Sequence, residues 1–182
     1  MSKVVLKAEN LHYSYSKGHK VLKGITLEIH EGEKLIILGA NGSGKSTFFL
    51  NINGVLKADE GKIYYKNKLI NKSNLKELKR HVGIVFQDAD NQIIASTVRA
   101  EVGFGPINLG FNRQEVIKRV NDSLNYMGIS HLIDRPPHYL SGGEKKKVSI
   151  ADIIAMEPEI IIFDEPTAFL DPQNKYIFEE HL

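Results

Sequence analysis

The 182-residue sequence contains no cysteine, which excludes disulfide bonds and metal sites built on thiolates. Neither sign of charge dominates, because 24 lysine and arginine residues oppose 22 aspartate and glutamate residues and leave a formal net charge of +2. A general binder of nucleic acid or other polyanions usually carries a larger excess of positive charge. The composition therefore gives no indication of such a function.

Long apolar runs are also missing. Residues 1–7 include no apolar stretch long enough for a signal peptide, and no run elsewhere approaches the ~20 residues that span a bilayer. We therefore expect a cytosolic protein that acts at a membrane, if at all, through a partner. The remaining composition, 42% hydrophobic and 25% charged, is ordinary for one globular domain.

The most informative stretch is a glycine-rich segment that matches G-x-x-x-x-G-K-[ST], the phosphate-binding P-loop. It comprises Gly39, Ala40, Asn41, Gly42, Ser43, Gly44, Lys45 and Ser46, and Thr47 follows it. The apolar run 34–38 before it predicts a buried strand. Residues 45–52 contain no glycine or proline and predict a helix. Strand, glycine loop and helix form the context that the motif requires, which disfavours an ordinary glycine-rich turn.

The residue types of this loop suit phosphate binding. Gly39, Gly42 and Gly44 allow backbone angles closed to other residues, so that successive N–H groups can converge on an anion. The same point is the N-terminus of a helix, which also favours an anion. Lys45 would direct its positive charge toward the β- and γ-phosphates, and the Ser46 hydroxyl could ligate Mg²⁺.

Polar side chains follow two later apolar strands. The predicted strand Val82–Phe86 ends at Gln87, and the predicted strand Glu159–Phe163 ends at Asp164 and Glu165. Ligands of α/β sheets bind at such strand ends, although Gln87 alone is a weak signal and an ordinary polar loop is the favoured interpretation of it. Asp164 can hold Mg²⁺ through water, and Glu165 could orient or deprotonate a water molecule. A solvated acidic turn is the alternative, which the upstream P-loop disfavours.

A second anion site is predicted near residue 141. Ser141 followed three residues later by Glu144 is a capping box, which starts a helix over 145–156. Gly142 and Gly143 leave unshielded N–H groups at this helix N-terminus. A structural cap and a phosphate contact are compatible here, and the sequence leaves both open.

Helix signals also mark the region between the two polar strand ends. Asn112, with Glu115 three residues later, predicts the start of a helix whose apolar face packs in the core. Thr97–Gly103 predicts a shorter helix, which we expect Gly105 and Pro106 to end.

The N-terminal segment predicts antiparallel strands. Val4–Glu9, Leu11–Tyr15 and Val21–Ile29 have strand-like patterns. Tyr13 and Tyr15 lie on one face of their strand, and one of them could stack on a purine ring. Spacing alone favours ordinary packing for both.

These motifs occur in one order: Gly39–Thr47, Gln87, Leu140–Gly143 and Ile162–Pro166. The series resembles the nucleotide-binding domain of ATP-binding cassette (ABC) transporters over essentially the whole chain. The resemblance implies one domain, 1–182, with the α/β fold of P-loop NTPases. That fold has a mainly parallel core sheet, an N-terminal antiparallel β subdomain and an α-helical subdomain, here at about 92–140.

The resemblance also implies roles around ATP and Mg²⁺. Tyr15 would stack on adenine, and Gly39–Thr47 would hold the phosphates. Gln87 would sense Mg²⁺ and the attacking water. Asp164 would be the acid on the Mg²⁺ side, and Glu165 would be the catalytic base.

Further implied roles lie across a dimer interface. Ser141, Gly142 and Gly143 would contact the γ-phosphate of ATP bound to a second ABC ATPase domain, and Asp171 would belong to a loop that crosses the interface. In this family two domains close head to tail over two ATP molecules, and closure moves integral membrane subunits. No nucleic-acid partner is expected.

A finer resemblance concerns Val85–Ile93 and Phe104–Gly110. These stretches are similar to the ATPases of energy-coupling factor importers, which include cobalt, nickel and vitamin importers. The cargo is selected by another subunit, and the ATPase sits peripherally on the cytoplasmic face of the membrane. Two alternatives stay open: a non-transport cassette ATPase acting on protein or nucleic acid, and an inert fragment that only binds ATP.

The sequence departs from the family pattern twice. Glu144 replaces the usual glutamine, which we expect to weaken phosphate attraction modestly unless Lys145 or Lys146 compensates. The family's further strand with a switch histidine is absent from the 182 residues, and His181 lies too close to Asp171 to replace it. We expect the helix predicted from Gln173 to be poorly anchored or to pack abnormally.

Overall fold

The computed structural model describes residues 2–16 and 18–165. The chain divides into two compact units, an N-terminal unit of residues 1–79 and a C-terminal unit of residues 80–182. The predicted helix from Gln173 lies outside the described residues. Within the described part of the chain, no helix has the length and apolar character needed to cross a membrane.

The N-terminal unit is built on a four-stranded antiparallel sheet. Its strand order is β2-β1-β3-β4, and its strands are β1 (Val4–Ser14), β2 (Lys20–His30), β3 (Glu60–Tyr65) and β4 (Lys68–Leu69). Helix α1 (Lys45–Ile52) lies within this unit, and helix α2 (Leu75–His81) begins in it and ends two residues beyond it. The predicted antiparallel N-terminal sheet is therefore confirmed.

Strand β1 continues through a position where the sequence predicts a break. Asn10 has a φ of 50°, and the register of β1 with β2 shifts between Ala8 and Leu11. Asparagine tolerates this left-handed conformation, so the chain forms a bulge and the strand resumes. Residues 4–14 are consequently one strand and not two.

The strand predicted at 34–38 is wrong for this structure. The segment has no strand geometry, and the side chains of Ile36 and Leu38 are 79% and 88% exposed. A strand is held by backbone hydrogen bonds to a neighbour, and none of the strands in residues 2–16 and 18–165 pairs with this segment. An apolar pattern alone does not supply that neighbour.

The C-terminal unit contains a short parallel sheet and three longer helices. Strands β5 (Val82–Val85) and β6 (Ile160–Phe163) pair in register, as predicted for the parallel core. The helices are α3 (Val98–Asn108), α4 (Arg113–Tyr126) and α5 (Gly142–Ala155). Short 3₁₀ turns cover 89–91, 130–132 and 137–139. The α/β class is confirmed.

The three helices of this unit share one apolar core. Val98 and Val102 of α3, Leu124 of α4, and Val148 and Ala151 of α5 are all fully buried in it. The predicted caps are present, because Asn112 Oδ1 accepts from the Glu115 amide at 3.0 Å and Thr97 Oγ1 accepts from the Ala100 amide at 3.2 Å. Local cap chemistry thus starts α3 and α4 where the sequence places them.

Helix α3 does not end at Gly105 and Pro106 as predicted. Both residues are buried within it, and the Leu109 amide still donates to the Gly105 carbonyl at 3.0 Å. A Cβ on Gly105 would lie 2.5 Å from Met156 Cγ, so the helix packs closely against the chain there. This packing offsets the hydrogen bond that proline cannot make.

Candidate active site

The glycine loop has the backbone conformation that the motif requires at two of its three glycines. Gly42 and Gly44 have φ values of 77° and 97°, and Gly44 is the N-cap of α1. Gly39 differs from the prediction, because it is not among the glycines with a positive φ. A Cβ there would lie 2.6 Å from Ser43 Oγ.

Lys45 folds back over the loop that precedes it. Its Nζ donates to the carbonyl oxygens of Gly39 at 2.9 Å and Ala40 at 3.2 Å. The side chains of Asn41 and Ser46 are exposed. The loop therefore presents an ammonium group and an accessible hydroxyl group at the start of α1, which is the chemistry that a phosphate–Mg²⁺ group needs.

Tyr15 lies beside the first turn of α1. Its hydroxyl is 3.2 Å from Thr47 Oγ1, and its ring meets that of Tyr13 edge-on with centroids 5.0 Å apart. The side chain of Tyr15 is 61% exposed. Tyr15 thus packs against Tyr13 and keeps ring surface accessible. Its position is compatible both with ordinary packing and with stacking on a purine ring.

The polar ends of β5 and β6 meet at one edge of the parallel sheet. Gln87 Nε2 donates to Glu165 Oε2 at 2.8 Å, and the Asp164 amide donates to the Val85 carbonyl at 3.0 Å. Asp164 is 7% exposed, whereas Gln87 and Glu165 are exposed. The structure therefore brings these three predicted residues together at the edge where α/β sheets place ligands.

The backbone of Glu165 is unusual. Its φ is 48°, a left-handed conformation that is uncommon for a residue with a long side chain. Such strain is concentrated at functional positions, where the surrounding structure maintains it. It directs attention to Glu165 independently of its hydrogen bond to Gln87.

The predicted capping box at the start of α5 is present. Glu144 Oε2 accepts from both the amide and the hydroxyl of Ser141 at 2.8 Å, and Ser141 Oγ accepts from the Glu144 amide at 3.3 Å. These hydrogen bonds from Ser141 lower the pKa of Glu144. A charged carboxylate is consequently held beside Gly142 and Gly143, where an approaching phosphate would meet it.

The two lysines after Glu144 bind other groups. Lys145 Nζ donates to Asp90 Oδ1 at 2.6 Å, and Lys146 Nζ donates to the backbone carbonyls of Phe86 and Gln87. Neither hydrogen-bond set includes Glu144, so these contacts do not support the expectation that Lys145 or Lys146 compensates its charge.

Sequence reasoning missed a polar cluster behind the sheet edge. Glu101 is 3% exposed and accepts from the amides of Ile94 at 2.9 Å and Ala95 at 2.6 Å. Gln92 Nε2 lies 3.4 Å from Asp152 Oδ2. Burial, reinforced by the nearby Glu101, raises the pKa of Asp152 to about 7. Asp152 is the one charged residue of the otherwise apolar run 150–155, and this is the signal that could have drawn attention to it.

Asp171 lies outside the described residues, so the structure does not place it. Residues 2–16 and 18–165 contain no group of three or more histidine, aspartate or glutamate side chains that could hold a metal ion by themselves. Mg²⁺ is usually held by one or two protein oxygens together with substrate phosphates. The hydroxyl of Ser46 and the carboxylate of Asp164 suit that mode chemically.

A loop that matches G-x-x-x-x-G-K-[ST] and lies at a helix N-terminus is characteristic of the P-loop class of nucleotide-binding proteins. The sequence model of the ABC transporter family matches residues 22–168. The chain therefore belongs to the ABC transporter family, as the motif order predicts.

Relatives within the family agree with the finer resemblance. The chain is 48% identical over 170 residues to the energy-coupling factor transporter ATP-binding protein EcfA of Methanocaldococcus jannaschii, an alignment that covers 92% of this chain and 61% of that protein. It is also 48% identical over 176 residues to EcfA3 of Clostridium perfringens, with 96% and 62% covered. The chain thus spans about three fifths of the length of these relatives.

Solved structures share the fold. The structure of cbiO1 from Clostridium perfringens, described as part of the ABC transporter complex cbiONQ, matches with a TM-score of 0.87 and 45% identity over 98% of this chain and 72% of that chain. A dimeric ATP-binding cassette, MJ0796, bound to ADP and Pi matches with a TM-score of 0.86 and 30% identity over 97% and 80%.

Proposed function

We propose that the protein binds ATP and hydrolyses it to drive a membrane importer of the energy-coupling factor type. The observation that carries the proposal is the hydrogen bond from Gln87 to Glu165 at the ligand edge of the parallel sheet. A carboxylate paired with an amide at this edge suits activation of a water molecule. The similarity to energy-coupling factor ATP-binding proteins supports the coupling to import.

The phosphates of ATP are proposed to bind the loop Gly39–Thr47. Positive φ values at Gly42 and Gly44 allow backbone amides to face an anion at the N-terminus of α1. Lys45 would exchange its contacts with loop carbonyls for the β- and γ-phosphate oxygens. Tyr15, with its exposed ring, would stack on adenine.

Mg²⁺ is proposed to use the hydroxyl of Ser46 and, through water, the carboxylate of Asp164, with Gln87 sensing its presence. When bound, the ion neutralises charge on the γ-phosphate during transfer. Asp164 is largely buried at the end of β6, with 7% of its surface exposed. Each of these residues supplies the hard oxygen atom that Mg²⁺ prefers.

Glu165 is proposed as the general base. It would accept a proton from the water that attacks the γ-phosphate, while the Gln87 amide keeps its carboxylate in position. Lys45 and the loop amides stabilise the charge that develops on the phosphate. The chemistry is therefore divided between positioning by Gln87 and proton acceptance by Glu165.

The working assembly is proposed to contain a second ABC ATPase domain and integral membrane subunits. Ser141, Gly142 and Gly143 would contact ATP bound to the second domain, and Asp171 would lie at the interface. The dimeric state of MJ0796 supports this arrangement. The complex would sit on the cytoplasmic face of the membrane and import a metal ion, such as cobalt or nickel, or a vitamin selected by another subunit.

ATP binding in the presence of Mg²⁺ tests the first step. We expect Lys45→Met to weaken ATP affinity by about tenfold or more, because it removes the loop's ammonium group. Lys57→Met, which removes an exposed lysine of the same unit, serves as the matched control. Equal affinities for both variants would contradict the assignment of the phosphate site.

Co-purification tests the second step. Recovery of the protein with integral membrane subunits from detergent-solubilised membranes would support the importer. Recovery only with cytosolic or ribosomal partners would instead favour a non-transport cassette ATPase. ATP binding without hydrolysis in either setting would favour an inert nucleotide-binding fragment.

A further inference from the structure

Lys146 is buried although lysine is normally exposed. It lies in the first turns of α5, and only 3% of its surface is accessible. The adjacent Lys145 and Lys147 are only partly buried. A buried ammonium group is costly unless the protein satisfies it, so its contacts are informative.

The ammonium group of Lys146 binds the chain just after β5. Its Nζ donates to the carbonyl oxygens of Phe86 at 2.5 Å and Gln87 at 3.2 Å. Burial lowers the pKa of Lys146, and the carboxylates of Asp164 and Asp88 oppose that effect. The group is thus desolvated, held by two carbonyls and placed within the field of the acid at the end of β6.

Gln87 is consequently held from two sides. Lys146 binds its carbonyl, and its side-chain amide donates to Glu165 Oε2 at 2.8 Å. Phe86 is held as well, because its amide donates to Gln92 Oε1 at 3.3 Å, and Gln92 Nε2 donates to the Ser149 carbonyl of α5 at 3.0 Å. Helix α5 therefore anchors the backbone that presents Gln87 to Glu165.

We infer that Lys146 is a positioning residue for the Gln87–Glu165 pair. By fixing the Gln87 carbonyl, it sets the direction from which the Gln87 amide reaches the Glu165 carboxylate. The inference rests on the proposed ATP hydrolysis, in which Lys146 itself touches neither water nor phosphate. Its effect on the reaction passes through Gln87 and not through the charge of Asp164, which also lies near it.

Lys146→Met and Lys147→Met form a matched pair, since each removes one lysine charge from adjacent positions of α5. We expect Lys146→Met to lower kcat for ATP hydrolysis by about tenfold while KM for ATP stays within about twofold, because an interaction needed for the chemical step is lost. Lys147→Met should leave both constants within about twofold. Equal kcat values for the two variants would overturn the inference.

A double-mutant cycle separates positioning from general stability. In a Gln87→Ala background, Lys146→Met should cause no further loss of kcat, because its only route to the reaction is already removed. Independent losses that multiply would show that Lys146 acts otherwise. Should Lys146→Met not fold, Lys146→Gln, which removes the charge and keeps an amide group with two N–H donors, takes its place in the same cycle.

Hydrogen exchange supplies a readout that needs no turnover. Amides of residues 86–92 should exchange about tenfold faster in Lys146→Met than in Lys147→Met, since the anchor of this segment is lost. Unchanged exchange would overturn the inference. If the wild-type chain binds ATP without hydrolysing it, the proposed function is contradicted and the inference about Lys146 is not. The comparison of exchange rates in the two variants then tests whether Lys146 anchors residues 86–92.

Discussion

The carboxyl group of Asp152 makes the stability of the C-terminal unit depend on pH. Burial and the nearby Glu101 raise its pKa from 3.8 to about 7, against the opposing effect of Gln92. The folded chain therefore keeps a proton that the unfolded chain releases between about pH 4 and pH 7. The contribution of Asp152 to stability is largest at low pH, and it is lost as the pH rises through this window.

Asparagine at position 152 has nearly the same shape and does not titrate. At 1.36 kcal/mol per pKa unit, the rise to about 7 corresponds to about 4 kcal/mol, an upper limit because the side chain is only partly buried. Between pH 5 and pH 8 the stability of Asp152→Asn relative to the wild type should increase by about 2–3 kcal/mol.

Urea unfolding followed by circular dichroism at 222 nm measures this difference at both pH values. Asp122→Asn, which neutralises an exposed carboxylate on α4, is the control and should show less than about 0.5 kcal/mol of pH-dependent change. A stability difference between wild type and Asp152→Asn that is the same at pH 5 and pH 8 would refute the reasoning.

Three further predictions concern the loop, the cap and the exposed segment. Gly44→Ala, at a φ of 97° with a neighbouring atom 3.0 Å from the added Cβ, should weaken ATP binding about tenfold in a nucleotide titration. Gly110→Ala, at a φ of 82° and with open space around the added Cβ, should leave ATP affinity unchanged. An equal loss of ATP affinity in the two variants would contradict the assignment of ATP binding to the glycine loop. Ser141→Ala removes the α5 cap and should cost about 1 kcal/mol in urea unfolding at pH 7, whereas no cost would mean that the cap is unimportant. Leu38→Ser should change stability by less than about 0.5 kcal/mol because Leu38 is 88% exposed. Val85→Ala, in the buried parallel sheet, should lower the free energy of unfolding by about 2 kcal/mol. A larger loss for Leu38→Ser than for Val85→Ala in urea unfolding would show that segment 34–38 is buried in the folded protein.

Local chemistry explains what the sequence could predict. The capping box of Ser141 and Glu144 depends on groups three residues apart, so its spacing is readable without a structure. The pairing of Gln87 with Glu165 spans 78 residues. It was foreseeable only because both follow strands of one parallel sheet, whose carboxyl ends share an edge.

Tertiary context explains what the sequence could not predict. Pro106 remains inside α3 because packing offsets its missing hydrogen bond. Segment 34–38 is apolar enough for a strand, but a strand also needs a neighbour. Lys146 looks like a solvated surface lysine in the sequence, and only the carbonyls of Phe86 and Gln87 reveal its position.

Steady-state ATP hydrolysis with Mg²⁺ tests the central claim most directly. The wild-type chain and Glu165→Gln are compared at equal ATP occupancy, so that binding and chemistry are separated. We expect measurable turnover in the wild type and its loss, by about 100-fold or more, in Glu165→Gln, because the general base is removed while the hydrogen-bond partner of Gln87 is kept. Equal turnover in the two proteins would show that Glu165 is not the base. ATP binding with no turnover in either would show that this chain binds the nucleotide without hydrolysing it.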